Sequence, residues 1–354
     1  MRIVINGWFS EQLTTGSGQY LTALLEWLPR VGGEHEFVVV GAGERGSGGA
    51  ADQQIVDGRP HDELRNTQYV SSLTFDVSRL TLLVTRYSSN LAKLWFEQIA
   101  FPHACRRLRA DVAFVPYWGS PWQQPCPVVV TVHDLIPLLL PLYRGGPLQR
   151  AYTWLVSRTA HRADAVLTDS AASQRDIVAH LSIPTERVRA IHLAADPRYR
   201  PVTDPAELAR VRAKYSLPDE PFFLYLGGFD ARKNVVRMIE GYARMVERLT
   251  KDERRKTKGD EPSSFVLGPP SLVVAGRLPA TDTPFAPDPR PAVARLGLAD
   301  RVRFTGWVDE ADKPALYSLA LGSVFVSEYE GYGLPVVEGM GCFGAAAELS
   351  GVRG

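Results

Sequence analysis

The chain has 354 residues, 45% of them hydrophobic and 22% charged, enough for two domains with ordinary soluble cores. Lys and Arg number 40 against 39 Asp and Glu, and this net charge of +1 excludes a dedicated nucleic-acid binder, which needs a basic excess. Cys105, Cys126 and Cys342 are too few and too widely spaced for a disulfide framework or a metal site, and suit a reducing compartment. The opening MRIVINGWF enters a strand directly, without a charged-then-apolar leader. No run approaches the ~18 apolar residues that span a bilayer, and the longest candidate, 135–143, is interrupted by Pro137 and Pro141. The expectation is a soluble cytoplasmic protein, with at most peripheral contact at the inner face of a membrane.

Residues 2–5 are the first predicted strand, and 20–28 the first helix, with Leu21, Leu24, Leu25 and Leu28 at helical spacing. Strand-like runs follow at 37–40, 112–115, 128–132, 165–168 and 188–193, with helical patterns at 148–161 and 172–181. Strands interleaved with helices predict a parallel, helix-covered sheet. At 194–201 the pattern breaks into AADPRYRP, a linker, after which Asp204, Pro205 and Glu207 supply an N-cap, an N1 proline and a capping-box partner. A second alternation has strands at 222–226, 272–275, 302–305 and 324–326. The predicted class is therefore α/β with two doubly wound, Rossmann-like domains. They are 1–195 and 221–354, joined by a linker and first helix at 196–220, with a ligand cleft between them.

Two stretches read as irregular: the Gly- and Ala-rich 41–54 as a loop, and the mixed charge run 250–262 as a solvated insertion. Gly41, Gly43 and Gly46 match G-x-G-x-x-G, which points to a different class, an NAD-dependent oxidoreductase. The context fails, because the glycines follow the second predicted strand and run into more Gly, Ser and Ala instead of an amphipathic helix. The match reads as coincidence.

Residues 323–341, SVFVSEYEGYGLPVVEGMG, carry the most chemistry. An apolar strand leads to Glu330. Gly331 and Gly333 then allow a tight turn and close approach to a ligand, Pro335 suits a first helical turn, and Glu338 lies one turn inside. The helix start offers free N–H groups to an anion, and the two carboxylates can accept hydrogen bonds from hydroxyls. An anion flanked by hydroxyl-rich groups describes a sugar nucleotide. The same string taken apart is a strand, a turn and an amphipathic helix with two solvated glutamates.

The segment resembles the E-x7-E motif of family-four glycosyltransferases, retaining enzymes of GT-B fold. The resemblance implies that Glu330 meets the donor sugar and Glu338 the nucleotide ribose, with Gly331, Tyr332, Gly333 and Leu334 belonging to the donor site. Further stations follow the family's order. LYLGGFDARKN at 224–234 ends a strand at Gly227 and Gly228 and places Arg232 and Lys233 before a helix that Asn234 can cap. Two cations at a helix start suit a diphosphate and its growing negative charge during transfer, though alone they also read as exposed loop charges. Many members carry Arg where this chain has Gly228, so Arg232 is the candidate replacement. VVVTVHDLIP at 128–137 delivers His133 and Asp134 at a strand's C-terminal end. The resemblance places His133 beside the donor sugar, positioning and polarising it, while Asp134 also reads as a cap of the next turn. TTGSGQY at 14–20 puts Gly16, Ser17 and Gly18 in the position of the family's glycine-rich first loop over the donor, and alone is a βα turn.

The resemblance implies a transferase that moves a sugar from a nucleotide diphosphate, GDP-mannose or a UDP-sugar, to a hydroxyl of a glycan or lipid-linked acceptor. No cofactor is expected, and no metal, since no Asp-x-Asp motif stands at a strand end. After Cys342 only FGAAAELSGVRG remains, where the family continues with further strands and a returning helix. The expectation is a truncated second domain with 324–326 left as a sheet edge. Two alternatives stand beside this reading: a non-catalytic remnant that binds nucleotide sugar without turnover, and a sugar-nucleotide epimerase of the same fold.

Overall fold

The computed structural model describes residues 1–10, 12, 15–41, 67–70, 89–256 and 268–343. Thr14, the glycine run beyond Gly41, the end of the charge run and the tail after Phe343 lie outside the described residues. The chain divides into two compact units, Met1–His192 and Leu193–Gly354.

The first unit is a parallel seven-stranded sheet, β1 (Arg2–Asn6), β2 (Glu36–Val40), β3 (Thr67–Val70), β4 (Val112–Val115), β5 (Val128–Thr131), β6 (Ala165–Thr168) and β7 (Val188–Ala190). Their order is β3-β2-β1-β4-β5-β6-β7, so the winding reverses between β1 and β4. Successive strand residues point to opposite faces. Val4, Val38, Ala113, Val115, Val128 and Val130 pack on one side, and Ile5, Phe37, Val39 and Phe114 on the other. Both faces are apolar because helices cover both. The described helices are α1 (Gly16–Val31), α2 (Ser89–Trp95), α3 (Phe101–Arg107), α4 (Ile136–Leu139), α5 (Pro147–Arg162) and α6 (Ala171–Leu181). A π-helical turn, Phe96–Ala100, joins α2 to α3.

The second unit repeats the plan with β8 (Phe222–Leu226), β9 (Ser271–Ala275), β10 (Val302–Gly306) and β11 (Gly322–Ser323), all parallel in the order β10-β9-β8-β11. Its winding reverses between β8 and β11. Val211 of α7 (Pro205–Lys214) and Leu316 and Tyr317 of α10 (Lys313–Leu319) join Phe222, Leu224 and Val273 on one face. Met238, Ile239 and Tyr242 of α8 (Val235–Lys256) join Tyr225, Leu272 and Val274 on the other, with Val293 of α9 (Arg290–Arg295). The last described helix is α11 (Leu334–Cys342).

Four expectations need correction. The strand placed at 324–326 is the two-residue β11 instead. Val324 still donates to the Leu224 carbonyl at 2.8 Å, but Val326 then accepts from the Asn234 amide at 3.3 Å and Glu328 donates to the Arg232 carbonyl at 2.7 Å. The loop after β8 has taken over the hydrogen bonds that a longer ladder would use. Gly16, Ser17 and Gly18 are not a loop, for they form the first turn of α1, capped by Thr15 Oγ1 accepting from Gly18 N at 3.1 Å. The run 188–193 leaves the sheet after Ala190. Asp204 caps α7 by accepting from Ala206 N at 3.0 Å, but Glu207 makes no capping box. Its carboxylate accepts from Arg210 at 2.8 and 2.6 Å, an i,i+3 pair along the exposed face.

Asp312, buried before α10, accepts from Arg210 at 2.5 Å, Lys214 at 2.6 Å and Tyr215 OH at 2.7 Å, and so ties α7 to α10. Burial works against this carboxylate, but Lys214, Arg210 and Tyr215 outweigh it and hold its pKa down to about 2. A depressed carboxylate stabilises the fold above its ordinary value of 3.8, and the contribution fades as pH falls through about 2. Arg210 and Lys214 are open to solvent, so screening weakens the ionic part, and the rest of the loss is the weaker hydrogen bond that a neutral amide oxygen offers the Tyr215 hydroxyl. Asp312→Asn should cost about 1–3 kcal/mol at pH 7, measured by urea unfolding, and the difference from the parent should shrink between pH 4 and pH 2. A gap that stays constant over that window would assign the effect to packing alone.

Candidate active site

The second unit's polar cluster is built where β8 and β11, neighbours at the reversal of winding, release their chains at the same edge. Gly276, after β9, has φ +143°, and a Cβ there would stand 2.1 Å from the Gly227 carbonyl oxygen. The exits of β8 and β9 therefore touch backbone to backbone, which only glycine permits. Past Gly228, whose carbonyl accepts from Tyr225 OH at 2.5 Å, a 3-10 turn, Ala231–Lys233, lifts two cations toward the loop after β11. Asn234 closes that turn at φ +58°, its own carbonyl receiving Met238 N at 2.9 Å as α8 begins.

Both cations meet one carboxylate. Lys233 Nζ donates to Glu330 Oε1 at 2.5 Å, and Arg232 pairs with Glu330 Oε2. Arg232 also reaches Asp230 Oδ1 at 3.0 Å and donates to the Tyr329 carbonyl at 3.1 Å. Burial works against the Glu330 carboxylate, but Lys233 and Arg232 prevail and keep its pKa below the usual value. Gly228 brings no side chain to this cluster, and the guanidinium in it is that of Arg232. The structure thus brings Arg232, Lys233 and Glu330 together.

Glu338 lies in different surroundings, one turn inside α11. Tyr317 OH donates to its Oε2 at 3.3 Å, and Tyr199 is a second hydroxyl partner. Burial raises its pKa, against the opposing pull of Lys313 and the two tyrosines. Between the glutamates Gly331 is buried, and Gly333 takes φ +100° as the N-cap of α11, where a Cβ would press on Phe325 at 3.4 Å. Tyr332 OH donates to the Leu193 carbonyl at 2.5 Å, and Leu334 is the first helical residue.

In the first unit three adjacent strand ends converge. His133 follows β5, Pro116 follows β4 and Asp169 follows β6. Nδ1 of His133 lies 2.8 Å from Asp169 Oδ2 and Nε2 lies 3.3 Å from the Pro116 carbonyl oxygen, while Tyr20 of α1 packs edge-on with ring centroids 4.8 Å apart. Both partners only accept, so a protonated Nδ1 donates to Asp169 at the shorter distance, and the ring is oriented by that bond. Burial disfavours the charged ring, but Asp169 outweighs it and raises the pKa above 6.5. Asp134 receives Ile136 N at 2.9 Å and turns the chain into α4. Gly16 and Ser17 lie at the start of α1. Gly18 is pressed against Gln12, whose carbonyl oxygen a Cβ would meet at 2.1 Å.

Several residues here escaped the motif reading. Asp169 is 36 positions from His133, and its one signal is its place just after an apolar strand. Tyr199 and Tyr317 carry no local pattern. Nor does a cluster at the reversal of winding between β1 and β4, where fully buried Glu97, in the π-helical turn, lies 3.5 Å from Lys93 and accepts from Tyr152 OH at 2.9 Å. Desolvation drives the Glu97 pKa up to about 7 despite Lys93, whose own pKa burial lowers. The Lys93 ammonium is walled by the rings of Phe9, Tyr117 and Tyr152 at 4.9–5.1 Å. Asn6 accepts from Tyr117 OH at 3.1 Å.

The chain matches the family model described as Glycosyltransferase Family 4 over residues 14–199 and that of Glycosyl transferases group 1 over 209–345. It is 30% identical over 235 residues to the serotype-specific mannosyltransferase WbdA of Escherichia coli, covering 66% of this chain and 26% of that one. It is 27% identical over 215 residues to the O-antigen chain mannosyltransferase B of Escherichia coli, covering 60% of this chain and 50% of that one. The chain thus spans a quarter to half the length of these relatives. Among solved structures, Anabaena Alr3699/HepE in complex with UDP-glucose superposes with a TM-score of 0.56 at 15% identity, covering 97% of this chain and 78% of that one. The fold is GT-B, with two Rossmann-like units.

The charge on His133 can be read directly. A raised histidine pKa stabilises the fold fully below the ordinary 6.5 and the contribution disappears as pH rises through the folded value. In nitrogen-resolved NMR the His133 ring should titrate above the ordinary 6.5, and Asp169→Asn should move its titration to lower pH. A titration that Asp169→Asn leaves in place would refute the clamp.

Proposed function

The chain belongs to Glycosyltransferase Family 4, and on that premise we propose that it is a retaining transferase moving a mannose-like sugar from a nucleoside diphosphate to a hydroxyl of a cell-surface glycan or its lipid-linked precursor. The observation that carries the reading is the meeting of Arg232, Lys233 and Glu330 at the edge where β8 and β11 end. Relatives named as mannosyltransferases support the sugar, and the neighbour bound to UDP-glucose supports a nucleotide-sugar donor.

In the reaction the bond from the anomeric carbon to the diphosphate oxygen breaks, the acceptor oxygen takes its place on the same face, and the diphosphate leaves with the bonding electrons, its charge growing until its oxygen takes the acceptor hydroxyl's proton. Arg232 and Lys233 stabilise that charge, a task a divalent cation performs elsewhere. Glu330 occupies them until the phosphates arrive, and then turns its carboxylate to the donor sugar's hydroxyls. Glu338 takes the ribose, exchanging a tyrosine hydroxyl for a sugar one. His133 serves as a hydrogen-bond donor whose ring Asp169 orients. Its longer bond, to Pro116, is the one a sugar oxygen would replace. The acceptor belongs to the first unit, where the half-buried rings of Trp8, Phe9 and Trp118, past the ends of β1 and β4, are of the kind that suits sugar rings.

Calorimetry with GDP and UDP tests the phosphate site. Lys233→Ala should lose about 1.5–3 kcal/mol of diphosphate affinity. Glu330→Gln should gain roughly tenfold in affinity for the diphosphate alone, because the competing charge is gone, while sugar transfer from GDP-mannose or UDP-glucose drops. Unchanged affinity in both variants would return the cluster to a structural salt bridge. His133→Ala should lower kcat on the order of 10²-fold at a temperature where the variant remains folded, and should also lower Tm because Asp169 loses its partner; a lowered Tm with an intact rate would mark a purely structural histidine.

A further inference from the structure

Leaving the sheet end at His133, the chain becomes one-sided in charge. From Leu135 to Ala163 it contains four arginines, Arg144, Arg150, Arg158 and Arg162, and not one aspartate or glutamate, in a protein whose overall balance is 40 to 39. All four are exposed, and among the described residues none lies within salt-bridge distance of a carboxylate.

Large apolar side chains stand among them. Leu148 is 88% exposed, Trp154 57% and Leu142 47%. On α5, Thr153, Val156 and Ala160 face the core, while Arg150, Trp154, Arg158, Arg162 and Leu148 fall within an arc of roughly 160° at 100° per residue. Arg158 lies over the Trp154 ring at 5.8 Å, and Arg162 over the exposed Trp122 at 4.7 Å. The face is helical, basic and studded with Leu and Trp, and no helix among the described residues is long and apolar enough to cross a membrane.

We infer that this face of α5, with the turn before it, rests on an anionic phospholipid surface, Arg at the phosphates and Leu148 and Trp154 in the headgroup–acyl boundary. Charge complementarity selects the occupant. A two-fold pairing of this face with a second copy would set four arginines against four. A nucleic acid would match the charge but leave Leu142 and Leu148 in water. A bilayer satisfies both kinds of side chain at once.

Vesicle partition needs neither donor nor acceptor, so its outcome is independent of the transferase reading. The full chain should co-sediment with vesicles of phosphatidylglycerol and phosphatidylcholine in equal parts, far less with phosphatidylcholine alone, and be released by 0.5 M salt as screening predicts, on the order of a few ångströms of Debye length. Arg150→Ala with Arg158→Ala should weaken binding roughly 30-fold, two charges at the surface potential. Leu148→Ala with Trp154→Ala should weaken it at least about tenfold at constant charge. Circular dichroism should be unchanged in both, since none of these side chains is buried. Equal binding to neutral and anionic vesicles, indifference to either double variant, or lipid-free self-association abolished by Leu148→Ala with Trp154→Ala would overturn the inference, the last assigning the face to a second copy. So would binding to duplex DNA that survives Leu148→Ala with Trp154→Ala and exceeds binding to vesicles.

Discussion

Every strand pairing described in both sheets is parallel, so every chain segment leaves its strand at the same edge of its sheet. The middles of the interior strands β1, β4, β5 and β6 are apolar on both faces, and in them polar side chains enter where the strand ends. The edge at the carboxyl ends therefore collects them. Pro116, His133 and Asp169 come together because β4, β5 and β6 are neighbours. Arg232 and Glu330 come together because β11 was laid beside β8 rather than beyond β10. Had the last strand added to the other side of the sheet, two strands would have stood between Glu330 and its cations.

This constraint decides which residues a linear reading can find. Strands at 112–115, 165–168 and 222–226 were legible to the residue, because a short apolar run bounded by turn residues has one sensible state in such a sheet. The cation pair and the two glutamates were legible as local strings. Asp169 was not, since its meaning comes from the adjacency of β5 and β6, and no spacing encodes adjacency. The shortened β11 was hidden for a similar reason. Val324, Phe325 and Val326 have strand character, but the turn at 231–234 offers Val326 and Glu328 better hydrogen-bond partners, and a tertiary bond outweighs local propensity. Gly16 and Gly18 misled in the opposite direction. Two glycines suggest a loop, yet Thr15 caps a helix there, and Gly18 is a packing glycine against Gln12.

The two units treat buried charge differently. In the second, Asp312 sits against Arg210 and Lys214 and Glu330 against Arg232 and Lys233, and both carboxylates are held below the usual range. In the first, Glu97 and Lys93 are so far from water that desolvation prevails over their attraction and moves both toward neutrality. Ion pairs of the first kind define geometry around a ligand's charge. The second kind, enclosed by aromatic rings at the join of β1 and β4, makes a low-dielectric wall.

The Glu330 clasp also bears on how fast a ligand arrives. Arg232 and Lys233 carry two positive charges, and Asp230 and Glu330 return two negative ones within hydrogen-bonding range. Seen from several ångströms away, the cluster is close to neutral, so under the proposed function it would draw an approaching diphosphate with little of the long-range pull that two bare cations would exert. Capture would then proceed at the pace of random encounter followed by an exchange of one anion for another. Most of the discrimination would fall in the second step, where a single carboxylate must be outcompeted by a group able to span both cations. Inorganic anions that meet the cluster in passing, with too little charge or reach to span the pair, would be turned away by the protein's own side chain.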